Sequence, residues 1–290
     1  MNVLSLFDGI SCGQVALNRA GIKYDNYYAS EIDKNAIKVT MNNYPDTIQL
    51  GDVTKWKEWD LPKIDLIIAG SPCQGFSFAG KGLNFDDPRS KLFFDFLHIL
   101  KHHKPRFFLL ENVKMKKEYE DVITDSLGVT PSNINSNLLT AQNRQRLYWT
   151  NIPFDINIPT KNLVSQDIVS EQILSKKEID TIDLLKELNF RNFRTDNSKK
   201  RIIGNVRGGD QKINCLTASN TYNPAGCGCS NFVFKTSYGY DWRKINRTEC
   251  ELAQTLPLGY TKVISEGLAK KALGNGWTVD VISHIFKNIS

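Results

Sequence analysis

The feature that most constrains this chain of 290 residues is a cysteine placed directly after a short apolar run. Residues 64–69 are mostly aliphatic and β-branched, which is typical of a buried strand in a parallel sheet. Gly70 and Pro72 break that strand, and Cys73 follows in the turn. Because ligands bind at the carboxyl ends of strands in open α/β sheets, this placement favours a functional thiol. A cysteine that only packs is the alternative, since free cysteines are often buried.

Short apolar runs, each followed by a polar turn, recur along the first half of the chain. We predict strands over residues 2–6, 24–30, 64–69, 107–110, 137–140 and 147–150, and a short one that ends near Leu50. We predict helices over residues 14–20, 34–43, 89–102 and 116–127, and in the second half of the chain residues 178–188 also show helical spacing. This alternation predicts an α/β fold with a doubly wound, mostly parallel sheet of the Rossmann-like kind.

The first predicted strand leads into a turn that contains glycine, Phe7 to Gly13, and then into a helix. Strand, glycine turn and helix together form a nucleotide-binding unit, although the spacing Gly-x-x-x-Gly is not the dinucleotide motif. Glu31 follows the second strand, about twenty residues beyond the turn, where an acid can bind ribose hydroxyls. Its neighbour Asp33 is placed to cap the next helix.

Two further carboxylates follow predicted strands. Asp52 is either an acceptor for an adenine amino group or an exposed loop residue. Glu111 ends the run 107–110 at the same sheet edge as Cys73, which makes it a candidate acid or hydrogen-bond donor. Since no Gly-Lys-Ser/Thr phosphate loop is present, carboxylates and glycines at several strand ends favour a small adenosine cofactor.

The segment from Gln142 to Arg146 carries two arginines two positions apart, Arg144 and Arg146. If the segment is part of a strand, both side chains face the same side of it. That arrangement is either a binding surface or an ordinary solvated face.

Composition limits the possible partners and compartments. The net charge of +6 permits a polyanionic partner without requiring one. No apolar stretch reaches the roughly 18–20 residues of a membrane span, and the start of the chain lacks the basic region of a signal peptide. Six cysteines without such a signal favour reduced thiols in the cytoplasm. Cys227 and Cys229 are too close for the usual zinc spacing, so we expect no metal.

Taken in order, these segments resemble the DNA cytosine-5 methyltransferase family over most of the chain. The motifs that carry the resemblance are Phe7-Asp8-Gly9 with Gly13, Glu31, Gly51-Asp52-Val53, Gly70-Ser71-Pro72-Cys73-Gln74, Glu111-Asn112-Val113, Gln142-x-Arg144-x-Arg146, Arg247-Thr248-Glu249-Cys250 with Gln254, and Gly274-Asn275. Two details resemble the animal de novo enzymes and phage or bacterial proteins like them. The first motif is Phe-Asp-Gly, where most bacterial members have Phe-Ala-Gly, and Trp277 lies close after Asn275.

The resemblance implies a reaction and a role for each matching residue. The cofactor is S-adenosylmethionine and the substrate is a flipped-out cytosine in double-stranded DNA. Cys73 is the nucleophile, Glu111 holds ring nitrogen 3, Arg146 binds the carbonyl oxygen and orients Glu111, and Arg144 holds the active-site loop or the DNA backbone. The implied cofactor-binding residues are Phe7, Asp8, Gly9, Gly13, Glu31, Ile32, Asp52, Val53, Pro72, Asn275 and Trp277. The expected DNA-binding residues are Gln74, Ser77, Lys81, Arg89, Gln142 and Arg207.

The resemblance also suggests a division of the chain and a biological setting. We expect residues 1–150 to form the catalytic and cofactor-binding domain. Residues 151–246, which are rich in Gly, Asn, Ser, Thr and basic side chains, are expected to form a small, loop-rich target-recognition region, and 247–290 to return to the catalytic domain. The setting is the cytoplasm of a bacterial or phage-infected cell, with or without a separately encoded restriction endonuclease.

Two alternatives differ from a DNA methyltransferase in substrate or in activity. A tRNA cytosine-5 methyltransferase shares the Pro-Cys loop and the Glu-Asn-Val motif, and Cys215-Leu216-Thr217 resembles the Cys-Phe-Thr signature of that branch. A non-catalytic DNA-binding relative is expected to have lost Cys73, Glu111 or the arginines, and this chain retains all of them.

Overall fold

The computed structural model describes residues 1–71, 88–190, 195–218 and 230–289, without the side chains of residues 88–91. The strands of its main sheet are β1 (Asn2–Leu6), β2 (Asn26–Ser30), β3 (Ile48–Gln49), β4 (Leu66–Gly70), β5 (Phe107–Val113), β6 (Ser132–Asn135) and β7 (Gln145–Thr150). Among the described residues these seven strands lie in the order β3-β2-β1-β4-β5-β7-β6. The strands from β3 to β5 pair in parallel, and β7 is antiparallel to β5. The predicted fold class is therefore confirmed.

Helices follow β1, β2, β4 and β5. Their bounds are α1 (Cys12–Arg19), α2 (Lys34–Asn43), α3 (Pro88–His103) and α4 (Lys117–Leu127). The cap predicted at Asp33 is confirmed, because its carboxylate accepts hydrogen bonds from the amides of Asn35 and Ala36 at the start of α2.

The chain divides into two compact units. Unit 1 comprises Met1–Ile134, Gln145–Asn157 and Val281–Ser290, and unit 2 comprises Asn135–Arg144 and Ile158–Asp280. In unit 1, Leu4, Ile67 and Leu110 of the central strands share a buried core with Phe93 and Phe96 of α3. This core fixes the strands whose carboxyl ends carry the predicted site.

Unit 2 has its own core of aliphatic side chains, which includes Leu174, Leu184 and Val233. The elements that follow β7 are α5 (Lys176–Ile179), α6 (Leu184–Glu187), α7 (Asp196–Gly204), β8 (Asn231–Thr236), β9 (Gly239–Lys244), α8 (Arg247–Ala253), α9 (Glu266–Asn275) and α10 (Val279–Phe286). Strands β8 and β9 form an antiparallel hairpin. The division predicted at residues 150 and 246 stays a prediction.

Two predicted elements differ from those observed. Residues 137–140 are not a strand: β6 ends at Asn135, whose side chain accepts from the amide of Asn137 and caps a short 3₁₀ helix, Ser136–Leu138. The helical spacing of residues 178–188 does not give one helix, because α5 ends at Ile179 and the chain turns before α6. At the first of these positions, the capping bond of Asn135 outweighs the apolar pattern.

A lysine holds three segments of unit 2 together. The ammonium group of Lys212 donates to the carbonyls of Asn137 (2.9 Å), Thr140 (3.1 Å) and Leu163.

In the part of the chain that the structure describes, no helix is long and apolar enough to cross a membrane. The same residues contain no group of three or more His, Cys, Asp or Glu side chains arranged to hold a metal ion.

Candidate active site

Hydrogen bonds join the carboxyl ends of β1, β2 and β3 in unit 1. The amide of Asp8 donates to the carbonyl of Ser30 (3.1 Å), and the amide of Gly9 donates to Oε2 of Glu31 (2.8 Å). The hydroxyl of Ser30 donates to the carbonyl of Gly51 (2.8 Å). The structure therefore brings the glycine turn, the acid after β2 and the loop after β3 into one edge of the sheet.

The turn after β1 adopts a strained backbone. Phe7 (φ 57°) and Ser11 (φ 59°) are left-handed although neither is glycine, and Gly9 (φ 61°) lies between them. Such conformations are costly and cluster at binding and catalytic sites. Phe7 is held by packing against the core of unit 1, and Gly13 is buried in the first turn of α1.

Glu31 is fixed by backbone amides on both of its oxygens. Besides the Gly9 bond to Oε2, Oε1 accepts from the amides of Ile32 and Asp33, both at 2.8 Å. This arrangement holds the carboxylate in one orientation. The side chain of Ile32 is 72% exposed, so it presents an apolar surface to solvent beside the fixed carboxylate of Glu31.

Asp52 combines a local structural role with an available oxygen. Its Oδ1 accepts from the amide and the hydroxyl of Thr54, both at 2.9 Å, and these bonds lower the pKa of the carboxyl. Both bonds use the same oxygen, so Oδ2 can accept another donor. The next residue, Val53, is buried in the core of unit 1.

Asp8 was predicted to bind the cofactor, and its side chain turns out to lie beneath the turn. Its Oδ1 accepts from the hydroxyl of Tyr27 (2.8 Å), while Oδ2 is shielded from solvent and has no hydrogen-bond partner among the described residues. Burial raises the pKa of this carboxyl to about 6, against the lowering effect of the hydroxyls of Ser5, Tyr27 and Ser11. The negative charge of Glu31 adds to the rise.

A second edge forms where β4 and β5 end. Gly70 is the register partner of Glu111, so the loop that leads to the cysteine starts beside this carboxylate. The amide side chain of Asn112 donates to the hydroxyl of Ser71 (3.1 Å), and both residues are buried. The sheet therefore fixes the chain two residues before Cys73.

Glu111 and Arg146 form an ion pair at this second edge. Nε of Arg146 lies 2.9 Å from Oε1 of Glu111, and the two side chains are only 12% and 10% exposed. Arg146 is on β7, which pairs with β5, and its Nη1 also donates to the carbonyl of Gln145 (2.8 Å). Charge-assisted bonds in a largely buried pair orient both groups.

Several predicted site residues lie outside the described residues. They are Pro72, Cys73, Gln74, Ser77 and Lys81. The backbone of Arg89 belongs to α3, but its side chain is not described. The roles of these residues remain predictions.

Arg144 lies before β7 and Arg146 lies on it, so the condition under which the two side chains would face the same side of a strand is not met. Arg144 precedes β7 and belongs to unit 2, where its guanidinium donates to the carbonyls of Leu216 (2.7 Å), Gly274 (3.3 Å) and Gly276 (2.8 Å). The side chain is 4% exposed. It ties the segment after α9 to residue 216, and the catalytic role implied by the resemblance remains untested.

Gln142 and Arg207, both expected to contact DNA, are bonded inside unit 2. Gln142 is fully buried, and its amide donates to the carbonyl of Ala253 (3.1 Å) and accepts from the amide of Leu216 (2.8 Å). The guanidinium of Arg207 donates to Oδ1 of Asn214 (2.7 Å) and to backbone carbonyls. In this structure both side chains hold the unit together, which gives no support to base reading by either.

Asn275 and Trp277 follow Gly274, a position where any side chain would collide with a neighbouring backbone segment. A Cβ on Gly274 would lie 2.3 Å from the carbonyl carbon of Thr217. Asn275 is exposed at the end of α9, whereas Trp277 is 9% exposed. Their predicted contact with the cofactor stays a prediction.

Two features of the site were not predicted. Sequence reasoning missed the pairing of Tyr27 with Asp8, and the Asn112–Ser71 bond that fixes the start of the cysteine loop. The signal for the first was a polar residue, Asp8, next to a strand that carries tyrosines. Neither contact follows from spacing, because each joins neighbouring strands.

The match to known proteins covers the whole chain. Residues 1–290 match the model of the C-5 cytosine-specific DNA methylase family, and the chain belongs to this family. The resemblance stated from the motifs is thereby confirmed.

Curated relatives include phage and bacterial methyltransferases. The chain is 34% identical over 221 residues to the orphan methyltransferase M.Rho11sI of Bacillus phage rho11s, a match that covers 70% of this chain and 42% of the relative. It is 26% identical over 314 residues to the type II methyltransferase M.HhaI of Haemophilus parahaemolyticus, with 100% and 94% covered. The chain spans less than half the length of several curated relatives that it matches.

Solved structures of similar fold include the S. pombe Dnmt2 methyltransferase. The TM-score is 0.70 at 20% sequence identity, and the match covers 99% of this chain and 97% of that one. At this identity the likeness shows the fold alone.

Proposed function

We propose that this chain transfers a methyl group from S-adenosylmethionine to carbon 5 of a cytosine in double-stranded DNA. The observation that carries the proposal is the edge formed by β4 and β5. There the Glu111–Arg146 ion pair lies beside the start of the Cys73 loop, in a chain that belongs to the cytosine-5 methylase family.

In this proposal the residues of the second edge share the chemistry. The Cys73 thiolate forms a bond to carbon 6, which makes carbon 5 nucleophilic enough to attack a methyl group. Glu111 holds ring nitrogen 3 through a shared proton while negative charge develops on the ring. Arg146 keeps Glu111 in place and binds the carbonyl oxygen. Transfer of the methyl group would leave S-adenosylhomocysteine. Loss of the carbon 5 proton to solvent would then re-form the double bond between carbons 5 and 6 and release Cys73 as a thiolate.

The first edge fits the cofactor that the family uses. When bound, S-adenosylmethionine supplies the electrophilic methyl group. Glu31 is oriented to accept from ribose hydroxyls, exposed Ile32 offers an apolar surface to the adenine ring, and Oδ2 of Asp52 can accept from the adenine amino group. The amide of Gly9, in the turn after β1, holds Glu31 in this orientation.

We expect Glu31→Gln to weaken S-adenosylmethionine binding by about 10- to 100-fold, because a charged hydrogen bond contributes about 1.5–3 kcal/mol. Isothermal titration calorimetry measures the dissociation constant. Affinity for duplex DNA should stay within a factor of about two. Asp33→Ala is the matched control: it removes a neighbouring carboxylate that caps α2, so it should lower stability by about 1 kcal/mol but leave cofactor affinity unchanged. Weaker DNA binding with normal cofactor binding would contradict the assignment of Glu31.

The DNA substrate follows from the chemistry of the family. A cytosine inside a duplex is out of reach, so it must be flipped out at a cost of a few kcal/mol, which DNA contacts offset. We assign the choice of the target sequence to residues 151–246. Exposed basic residues of α7, Lys200 and Arg201, are candidates for phosphate contacts there. The enzyme would act in the cytoplasm of a bacterial or phage-infected cell, with or without a partner endonuclease.

A comparison of methyl transfer to duplex DNA with methyl transfer to tRNA shows which of the two nucleic acids is the substrate. With radiolabelled S-adenosylmethionine, the purified chain should label plasmid DNA, and unlabelled tRNA in excess should compete poorly. If tRNA acquires the label and plasmid DNA does not, the RNA alternative is favoured. If neither acquires the label, the non-catalytic alternative is favoured.

A further inference from the structure

An oxygen of Asp8 lies buried at the end of β1 without a partner. The Tyr27 hydroxyl holds Oδ1 at 2.8 Å, while Oδ2 has no hydrogen-bond partner in the described part of the chain. Burying an oxygen of an ionised carboxyl without a partner is costly. A group of this kind therefore needs an explanation in the function of the site.

The surroundings of Asp8 carry negative charge and neutral hydroxyls. The titratable groups that face it are Tyr27 of β2, Tyr24 just before β2 and Glu31 just after it. The main contributions to the electrostatic environment of Asp8 come from burial, from the hydroxyls of Ser5, Tyr27 and Ser11, and from the negative charge of Glu31. Two carboxylates thus share the first edge, which favours a ligand that brings positive charge.

We propose that the Asp8 carboxylate makes this edge selective for S-adenosylmethionine over S-adenosylhomocysteine. The inference rests on the proposed function of the edge. The two ligands differ by a methyl group and by the positive charge of the sulfonium. Methyl transfer removes that charge, so the carboxylate attracts the cofactor more strongly than the product. The same difference favours exchange of product for new cofactor after each turnover.

The charge of Asp8 depends on pH in the range where this selectivity can be measured. Burial raises the pKa of Asp8 to about 6, so the group is neutral well below that pH and ionised above it. A cationic ligand stabilises the carboxylate and lowers its pKa, and by linkage the ionised form binds that ligand more tightly. Tyr24 and Tyr27 stay neutral there, because the pKa of each phenol is raised above 10.

Calorimetric titration of the wild-type chain with each ligand at pH 5.0, 6.0 and 7.0 tests this selectivity. We expect the ratio of S-adenosylmethionine to S-adenosylhomocysteine affinity to rise by about two- to fivefold between pH 5.0 and 7.0. This is the part of a roughly three- to tenfold total change that falls in this range if the cofactor lowers the pKa of Asp8 from about 6 by roughly half a unit to one unit. Between these pH values the amino-acid groups of both ligands keep their charges, so they largely cancel in the ratio.

Three variants separate the Asp8 charge from other effects. Asp8→Asn keeps the acceptor for Tyr27 but cannot ionise, so its affinity ratio should stay at the low-pH value throughout. Tyr27→Phe removes a hydrogen bond that lowers the pKa of Asp8, so the rise in the ratio should move to higher pH. Asp52→Asn is the control: the pKa of Asp52 is already lowered, so this change should leave the pH dependence of the ratio intact.

The outcomes distinguish this inference from the function on which it rests. A ratio that is constant from pH 5.0 to 7.0 in the wild type overturns the inference alone, as does an unchanged rise in folded Asp8→Asn. If Asp8→Asn does not fold, a Tyr27→Phe profile identical to the wild type overturns it instead. If the wild type binds neither ligand, the cofactor proposal fails and the selectivity falls with it.

Discussion

Replacing Cys73 with alanine is expected to reduce methyl transfer by at least about 10³-fold, because removing a nucleophile removes the covalent path itself. The expectation depends on the placement of the residue. Ser71, two positions earlier, is fixed by Asn112, and Gly70 is in register with Glu111. Rates of tritium transfer to plasmid DNA measure the effect.

A trapping experiment shows whether Cys73 forms the bond to the base. DNA with 5-fluorocytosine at the target should leave the wild-type chain covalently attached, since fluorine cannot be lost as a proton is. Cys73→Ala should form no such complex while binding S-adenosylmethionine with unchanged affinity. Methyl transfer by Cys73→Ala at a rate near the wild type would contradict the assignment.

Replacing Arg146 with alanine is expected to lower both activity and stability. The Glu111 side chain is only 10% exposed, so loss of the 2.9 Å contact deprives a largely buried carboxylate of its cation. We expect a stability loss of about 1–3 kcal/mol and a rate about 10²- to 10³-fold lower, since the pair stabilises charge that develops on the ring. Urea unfolding and single-turnover kinetics measure the two effects.

An exposed ion pair in the same unit provides the control. Lys117 lies 2.9 Å from Glu120 but is 72% exposed, so Lys117→Ala should change stability by less than about 1 kcal/mol and leave the rate unchanged. Arg146→Lys should restore part of the stability but little of the rate, because a lysine lacks the planar guanidinium. If Arg146→Ala and Glu111→Gln affect the rate additively when combined, the two residues do not act as the proposed unit.

The parallel half of the fold could be predicted because its signals are local. The apolar runs of β1, β4 and β5 are each followed by a polar turn, and Asp33 stands at the helix start that it caps. Each of these features depends on a few neighbouring residues. The structure agrees with the predictions there within about two residues at most boundaries.

What sequence reasoning missed depends on contacts between distant segments. Arg144 and Arg146 are two positions apart, yet one binds carbonyls of unit 2 and the other pairs with Glu111 in unit 1. The side chain of Asp8 turns beneath its loop to Tyr27, a residue 19 positions away. Gln142 is buried by partners more than 70 positions along the chain. Periodicity and motif spacing carry no information about such pairings.

Bisulfite sequencing of a plasmid from a host that expresses the wild-type chain tests the central claim most directly. The account predicts cytosines protected from conversion within one recurring sequence, and full conversion at the same sites in plasmid from a host that expresses Cys73→Ala. Plasmid DNA without protected cytosines, from cells that contain soluble and folded wild-type protein, would contradict it.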